Sequence, residues 1–281
     1  MGMRFSTPYW LLPAPCFIVS GMAVAENSAP RPTPEAEEIY RRWIQFLDDE
    51  FIRHSSPERR GEIVRDQLYQ LYLGRPHGGK LNLTLTTELP ANVVSLSLDP
   101  QNVTMEQGHF AEVDRERFAQ RKPLLWFWQM FDRSPIGLNH WLGLRFRCML
   151  GRHIFEHLGS GVKIYHGVDL TYGYNLSIGD GVTIHQRALL NDRGGITIGD
   201  NAVIGSFSRI YSFWHDPKEY NKVRLQPTVI GAAPTSPLMP LFSPGKMSHP
   251  EDPSASFPMI ASESLFPAWA TCSMFLTDTK Q

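Results

Sequence analysis

Aliphatic residues return every six positions between Val162 and Gly231, and each is followed by small, polar or turn-forming residues. A period of six fits neither an α-helix, with about 3.6 residues per turn, nor a single strand, with about two. It fits a solenoid of short parallel strands in which each flat side takes one hexapeptide and points its aliphatic residue inward. The clearest units begin at Ile178, Ile184, Leu190, Ile198, Ile204 and Ile210.

Glycine, aspartate and asparagine follow the aliphatic residues where such a solenoid would turn its corners. Residues 178–181 read Ile-Gly-Asp-Gly, and residues 198–201 read Ile-Gly-Asp-Asn. Glycine and asparagine tolerate the positive φ that a tight corner needs. The alternative is an ordinary β-sandwich with glycine-rich turns, but sandwich turns do not recur at a fixed spacing. The pattern therefore predicts a mainly β fold built on a parallel β-helix.

Two pieces of the repeat carry a family resemblance. They are residues 194–201, Gly-Gly-Ile-Thr-Ile-Gly-Asp-Asn, and residues 210–216, Ile-Tyr-Ser-Phe-Trp-His-Asp. This region resembles the hexapeptide-repeat acyltransferases, in the branch of the maltose and galactoside O-acetyltransferases. The resemblance implies a short left-handed parallel β-helix and a homotrimer. It also implies transfer of an acetyl group from acetyl-CoA to a hydroxyl of a sugar-like acceptor, with no metal required.

The repeat occupies residues 159–231, and the residues before it divide into two parts. Residues 1–34 are predicted to be a leader and linker, in which Arg4 precedes an apolar run and Ala23-Val24-Ala25 resembles a cleavage site. If residues 1–25 are a signal peptide, the protein would be secreted. The three widely spaced cysteines, Cys16, Cys148 and Cys272, form no disulfide framework. Together with the use of acetyl-CoA, they favour a cytoplasmic location.

Residues 35–158 are predicted to be a helical and mixed region that caps the open first coil of the solenoid. Alternating leucines and valines in Leu81–Leu98 predict two strands joined around Pro90. The tryptophans and phenylalanines of the later helices predict a packed core rather than a ligand-binding box. Apolar spacing and end signals predict helices over 35–51, from Ser56 to about Gly74, over 114–131 and over 137–155.

Residues 232–281 break the pattern, because they are rich in proline and serine and contain no hexad. This composition predicts disorder. The resembling enzymes continue with further coils that complete the coenzyme A cleft, so their absence puts activity in doubt and leaves the coenzyme-contacting residues unidentified. A change of reading frame or splicing just after Gly231 is one hypothesis. A second functional hypothesis is an inactive family member that serves as a trimeric interaction module.

His215 is the candidate catalytic residue. A hydroxyl attacks a thioester poorly unless a base removes its proton, and histidine titrates closest to neutral pH. His215 lies in a polar and aromatic loop that follows Ile210. The resembling enzymes place their catalytic histidine at this point, which implies that His215 is the general base.

Four other residues are candidates for binding the acceptor. Asp192 and Asn191 lie one coil before His215 and should reach the same edge, where the resembling enzymes use a carboxylate to bind the sugar. Asp192 has an alternative role, which is to form the turn that precedes Gly194-Gly195. His185 and Trp214 are further candidates for lining the cleft.

A rival motif predicts different chemistry. His153, Glu156 and His157 match the H-x-x-E-H pattern of inverted zinc peptidases, in which both histidines lie on one helix face. Glu219 is the one candidate third ligand, and zinc hydrolysis is accordingly the weaker hypothesis. The formal net charge is −1, with a pI of about 6.8 and no basic stripe, which argues against a nucleic-acid partner. Beyond the leader, no segment is apolar and long enough to span a membrane.

Overall fold

A computed structural model describes residues 31–78, 89–216, 218–219 and 222–233. The predicted signal peptide and most of the predicted disordered tail lie outside these residues, as does the first predicted strand. Within the described part of the chain, no helix is both long and apolar enough to cross a membrane. The helices are α1 (Pro34–Arg53), α2 (Pro57–Leu73), α3 (Leu89–Ser97), α4 (Arg115–Arg133) and α5 (His140–Ile154), with 3-10 turns at Pro100–Asn102, Glu106–His109 and Pro135–Leu138.

Four of these helices begin at side-chain caps that the sequence contains. Thr33, Ser56, Asp114 and Asn139 each accept a hydrogen bond from the backbone N–H three residues on, at 3.3, 3.3, 3.0 and 3.0 Å. Such a bond satisfies one of the N–H groups that the first helical turn leaves unpaired. Helix α2 ends at Gly74, whose φ of 63° is the left-handed conformation that closes many helices. The four predicted helices are therefore confirmed.

The predicted second strand in 81–98 is wrong, because Leu89–Ser97 forms helix α3. Val94 and Leu96 were expected to share a buried face, yet they are 48% and 40% exposed, while Ser95 between them is buried. The carbonyl of Ser95 accepts a hydrogen bond of 3.1 Å from the hydroxyl of Tyr69. Contact with α2 thus overrides the alternation of apolar and polar residues.

Three parallel sheets form the sides of a solenoid, and hydrogen-bonded partners in successive coils are 20 residues apart, as for Ser160 and Asp180. The predicted parallel architecture is confirmed, and the left-handed winding of the solenoid stays a prediction. The first sheet contains β1 (His157–Leu158), β4 (Leu176–Ile178), β7 (Ile196–Ile198) and β12 (Thr228–Ile230). The second contains β2 (Lys163–Ile164), β5 (Thr183–Ile184) and β8 (Val203–Ile204). The third contains β3 (Asp169–Leu170), β6 (Leu189–Asn191) and β9 (Arg209–Tyr211).

The aliphatic residues of the hexads form the solenoid core. Ile178, Ile184 and Leu190 are 0% exposed, and Ile198 is 1% exposed. Burying one such side chain contributes about 2 kcal/mol. Stacking them coil upon coil gives each coil a continuous apolar interior, as the period of six predicted.

Helices α4 and α5 cover the first coil. The indole N–H of Trp128 donates to the carbonyl of Val168 at 2.8 Å. Arg147, almost fully buried, donates to the carbonyl of Ile164 at 3.4 Å and pairs with Asp132 at 2.5 Å. These groups satisfy backbone carbonyls that the first coil would otherwise leave open. The aromatic residues form a packed core, in which Phe131 and Phe146 stack with ring centroids 3.8 Å apart.

Candidate active site

A hairpin leaves the solenoid between its third coil and β12. It consists of β10 (Phe213–His215) and the antiparallel β11 (Val223–Leu225). Ile196 pairs with Thr228, 32 residues on, so this coil is longer than the coils before it. The backbone N–H of Gln226 donates to the carbonyl of Ser212 at 2.9 Å and closes the base of the hairpin. A rigid scaffold therefore holds both ends of the segment that carries His215.

Alternate residues of β10 face opposite sides, as in any strand. Phe213 and His215 both line a cavity of about 530 Å³, and their rings meet edge to face at 5.8 Å. Trp214 does not line that cavity, and its side chain is 46% exposed. The structure thus places His215 in the wall of this cavity, whereas Trp214 points away from the cavity.

Asn191 is the candidate acceptor residue that the structure brings together with His215. It ends β6 and lines the same cavity. Its backbone carbonyl accepts from the N–H and from the hydroxyl of Ser212, at 3.1 and 2.7 Å, which ties it to the base of the hairpin. Within the described residues its side-chain Oδ1 is buried and has no hydrogen-bond partner. Because this oxygen is buried, a ligand in the cavity would reach it only after the Asn191 side chain rotates.

The structure corrects the expected position of Asp192. Its side chain is 0% exposed, and its carboxylate accepts the backbone N–H groups of Tyr172 at 2.7 Å and Asn175 at 3.1 Å. Burial raises the pKa of Asp192, while these backbone N–H groups act to lower it. A carboxylate enclosed in this way holds the preceding coil and does not reach the cavity. In the alternative role, an Asx turn, the carboxylate would accept the N–H of Gly194. That N–H donates instead to the hydroxyl of Ser212 at 2.8 Å, and the turn is closed by a 3.1 Å backbone bond from the N–H of Gly195 to the carbonyl of Asp192.

His185 also lies away from the cavity. It follows β5, at the corner between the second and third sheets, and stacks on Tyr165 with ring centroids 5.0 Å apart. His185 was a candidate for lining the same cleft as His215. The hairpin instead begins at the opposite end of the third sheet, so the structure does not bring these two histidines together.

The zinc hypothesis required His153 and His157 on one helix face, but α5 ends at Ile154 and His157 begins β1. His153 pairs with Asp48 at 2.7 Å, and burial lowers the pKa of His153. Glu156 pairs with Arg117 at 2.5 Å. Across the described ranges, no group of three or more histidine, cysteine, aspartate or glutamate side chains is arranged to hold a metal.

The sequence did not identify the wall that the capping region contributes to the cavity. Glu106, Gln107 and Phe110 line it opposite the hairpin. Arg193 joins the two walls, because its guanidinium lies 4.1 Å from the ring centroid of Phe110 and 4.4 Å from that of Phe213. Glu112 of the capping region pairs with this arginine and also binds Tyr172 of the solenoid. No local signal could have revealed the contact, since the partners are about 80 residues apart in sequence.

The anchor of Arg193 is a charged and hydrogen-bonded group. Arg193 forms an ion pair with the carboxylate of Glu112, which also accepts a hydrogen bond of 3.2 Å from the hydroxyl of Tyr172. Burial, followed by the neighbouring Glu112 carboxylate, raises the pKa of Tyr172. Its hydroxyl therefore stays protonated and acts as a donor. This network fixes Phe213, and through it His215, relative to the capping region.

No protein-family model matches the chain. Among solved structures, the crystal structure of a hexapeptide-repeat containing acetyltransferase from Vibrio cholerae is similar, with a TM-score of 0.34 and 24% sequence identity. The match covers 41% of this chain and 62% of that chain, which is less than two thirds of its length.

Proposed function

We propose that the chain is an O-acetyltransferase that moves an acetyl group from acetyl-CoA to a hydroxyl of a sugar-like acceptor. One observation supports this most directly. A hairpin inserted into a parallel solenoid presents His215 to a cavity that Asn191 also lines. A base and a hydroxyl-binding group beside one cavity are the minimum that this reaction requires.

The proposed reaction is a direct transfer in a ternary complex. His215, as the neutral imidazole, removes the acceptor's proton while the hydroxyl oxygen attacks the thioester carbon. The oxygen–carbon bond forms, the carbonyl becomes a tetrahedral oxyanion, and the carbon–sulfur bond then breaks. The imidazolium returns its proton to the leaving thiolate of coenzyme A. Asn191 lines the same cavity, and after rotation of its side chain its amide group would bond a second acceptor hydroxyl and orient the sugar-like ring.

The assembly and location of the protein are part of the same proposal. A homotrimer with left-handed solenoids would place a neighbouring subunit against the cavity and close it on the open side. Acetyl-CoA as donor is consistent with a cytoplasmic protein, and the proposed reaction uses no metal. Asp192, fully buried, belongs to the scaffold in this scheme rather than to the acceptor site.

The experiment is a thiol-release assay with acetyl-CoA and a panel of sugars, comparing the wild type with His215→Ala and His157→Ala. His157 is a matched control, because it is also an exposed strand histidine but lies in β1. We expect His215→Ala to lose at least about a hundredfold in turnover, the usual contribution of a general base, with an unchanged circular dichroism spectrum. His157→Ala should keep full activity.

Three outcomes would contradict the proposal. Retained turnover in His215→Ala would rule out the base role. A folded wild type that does not bind acetyl-CoA in calorimetry would favour the non-catalytic interaction module. Activity lost in His157→Ala, together with stoichiometric zinc in elemental analysis, would instead favour the hydrolase hypothesis.

A further inference from the structure

A second cavity, of about 440 Å³, adjoins the one that contains His215. The two share Gln129, Asp169 and Leu189 as lining residues, so they form one groove along the outer face of the third sheet. The second cavity is distinguished by three arginines from three different elements. Arg133 ends α4, Arg187 lies at the corner after β5, and Arg209 begins β9.

Among the described residues, none of these three arginines forms an ion pair with a carboxylate, although Asp169 attracts Arg133 and Arg209 at longer range. In the described part of the chain, the ion pairs of the solenoid and of the helices above it involve other arginines, such as Arg147 and Arg193. Arg133 donates only to the side-chain oxygen of Gln129, at 3.3 Å. Three guanidinium groups therefore face one concave surface, and each has N–H donors available for a ligand.

The two carboxylates that line the cavity do not neutralise it. Asp132 is bound on Oδ1 by Arg147 at 2.5 Å, and its Oδ2 accepts the backbone N–H of Gly167 at 2.8 Å. Asp169 remains, on the exposed face of β3. Once the charge of Asp132 is balanced by Arg147, the lining has an excess of positive charge.

The backbone provides a second, independent observation. Arg187 and Phe207 have φ angles of 57° and 63°, in the left-handed region that side chains with a Cβ disfavour. The equivalent position one coil earlier is Gly167, with φ of 76°, which adopts this conformation without strain. Both strained residues line the second cavity, and the Arg187 guanidinium lies 5.7 Å from the Phe207 ring centroid.

The corner between the first and second sheets has different residues at the positive-φ positions. Its positive-φ positions are Gly161, Gly181 and Asn201, with φ of 67°, 66° and 58°. These are the residues that accept the conformation most readily. Strained side chains that cluster at one cavity indicate a function for those side chains.

We infer that Arg133, Arg187 and Arg209 form a binding subsite for the phosphate or carboxylate group of a ligand that extends along the groove toward His215. Guanidinium groups bind such anions through paired, charge-assisted hydrogen bonds. Anion binding as such is independent of the proposed acetyl transfer. Only the statement that the anion belongs to a substrate rests on the proposed function.

The test uses the full chain and inorganic phosphate as the probe, with binding followed by phosphorus NMR line broadening. Arg187→Gly removes the guanidinium and also relieves the strained backbone. We expect phosphate affinity to fall by about tenfold or more, since each hydrogen bond to a charged group contributes on that scale. The melting temperature should not decrease. Asn201→Gly gives the same backbone relief at the other corner and should leave phosphate affinity unchanged.

Wild-type phosphate affinity retained in Arg187→Gly would overturn the subsite. If the melting temperature of that variant also fell, the role of Arg187 would be structural, through its contact with Phe207. If Arg187→Gly does not fold, Arg209→Gln on the outer face of β9 provides the same comparison. Coenzyme A and pantetheine, which has no phosphate, identify the source of the anion. Weaker binding of coenzyme A but not of pantetheine in the variant would assign the subsite to the donor.

An effect of Arg187→Gly on phosphate but not on coenzyme A would assign the subsite to an anionic acceptor, and either assignment supports the subsite. If the proposed acetyl transfer fails while wild-type phosphate binding persists and Arg187→Gly loses it, the subsite stands alone. The two proposals therefore fail separately.

Discussion

Asp180 and Asp192 each bind a backbone N–H of the preceding coil at a corner of the solenoid, but one carboxylate is exposed and the other is buried. Asp180 is exposed, and its carboxylate accepts the backbone N–H of Ser160 in the preceding coil at 2.6 Å. Asp192 is fully buried, and its carboxylate accepts the N–H of Tyr172 in the preceding coil at 2.7 Å. Hydrogen bonds from Ser160 lower the pKa of Asp180, whereas burial raises that of Asp192.

The difference comes from what covers each corner. The corner at Asp180 faces solvent, and its carboxylate binds the N–H of Ser160 in the preceding coil. The other is covered by the capping region, since the Phe110 and Phe118 rings pack edge to face on Tyr172 at 6.3 and 6.1 Å. The same type of hydrogen bond between coils is therefore buried at Asp192, where the capping region and the candidate active site meet. Four tests measure how far the two corners differ.

The largest effect is expected for Asp192→Ala. The change leaves the buried N–H groups of Tyr172 and Asn175 without acceptors, at about 1–3 kcal/mol each, so the loss of unfolding free energy should be about 4 kcal/mol. Urea unfolding followed by circular dichroism measures it. Asp192→Asn, which keeps one acceptor oxygen, should lose less. A loss below 1 kcal/mol for Asp192→Ala would show that the corner does not depend on this carboxylate.

Arg193→Ala should have the next largest effect, about 3 kcal/mol, because it leaves Glu112 partly buried without its counter-charge. The same change frees Phe213, so the activity ascribed to His215 should fall in kcat more than in KM. Arg224→Ala, on the exposed side of the hairpin, is the control and should change neither quantity appreciably. A double variant with Glu112→Gln tests the coupling, which would be absent if the two losses simply added.

Asp180→Ala should have a smaller effect, because water can replace its carboxylate at the exposed N–H of Ser160. The unfolding free energy should decrease by clearly less than in Asp192→Ala under identical conditions. Equal losses in the two variants would remove the contrast between the corners, since burial would then not decide the contribution of the aspartate.

The smallest effect concerns pH, and its sign differs between the corners. The pKa of Asp180 is lowered by folding, so its contribution is complete above the unfolded value of about 3.9 and is lost as the pH falls further. The pKa of Asp192 is raised by folding, so the wild type becomes relatively more stable on acidification from neutral pH toward that value. Urea unfolding of Asp180→Asn and Asp192→Asn from pH 7 to 3 measures both. The advantage of the wild type should shrink for the first variant and grow for the second, and trends of the same sign would contradict the assignment.

The sequence predicted the parts of the fold that repeat or that have local end signals. The period of six located inward residues such as Ile178 and Ile184, and caps such as Ser56 located helix starts. Alternation failed at Val94 and Leu96, where a contact with Tyr69 through the backbone of Ser95 decides the structure. A contact with a distant helix has no signature in a short window of sequence.

The candidate site was predictable to a similar extent. The break in the repeat located the loop, the resemblance identified His215 as the base and Asn191 as an acceptor residue, and the structure places both at one cavity. The burial of Asp192 and the wall formed by Glu106 and Phe110 depend on the capping region, which joins the solenoid through Glu112 and Arg193. Residues that meet across about 80 positions could be placed only by the three-dimensional structure.

The unequal lengths of the coils also have a consequence for the order of folding. A solenoid gains stability mainly between neighbouring coils, so folding spreads outward from the part that forms first. Helices α4 and α5 offer a surface on which the first coil can form, and each later coil closes over a span of 20 residues. The coil that carries the hairpin closes over 32 residues, which adds only about 0.4 kcal/mol of loop entropy but leaves Thr228 as a late partner of Ile196. We therefore expect His215 to reach its place late in folding, and a kinetic probe at the hairpin would report the closure of the coil that carries it.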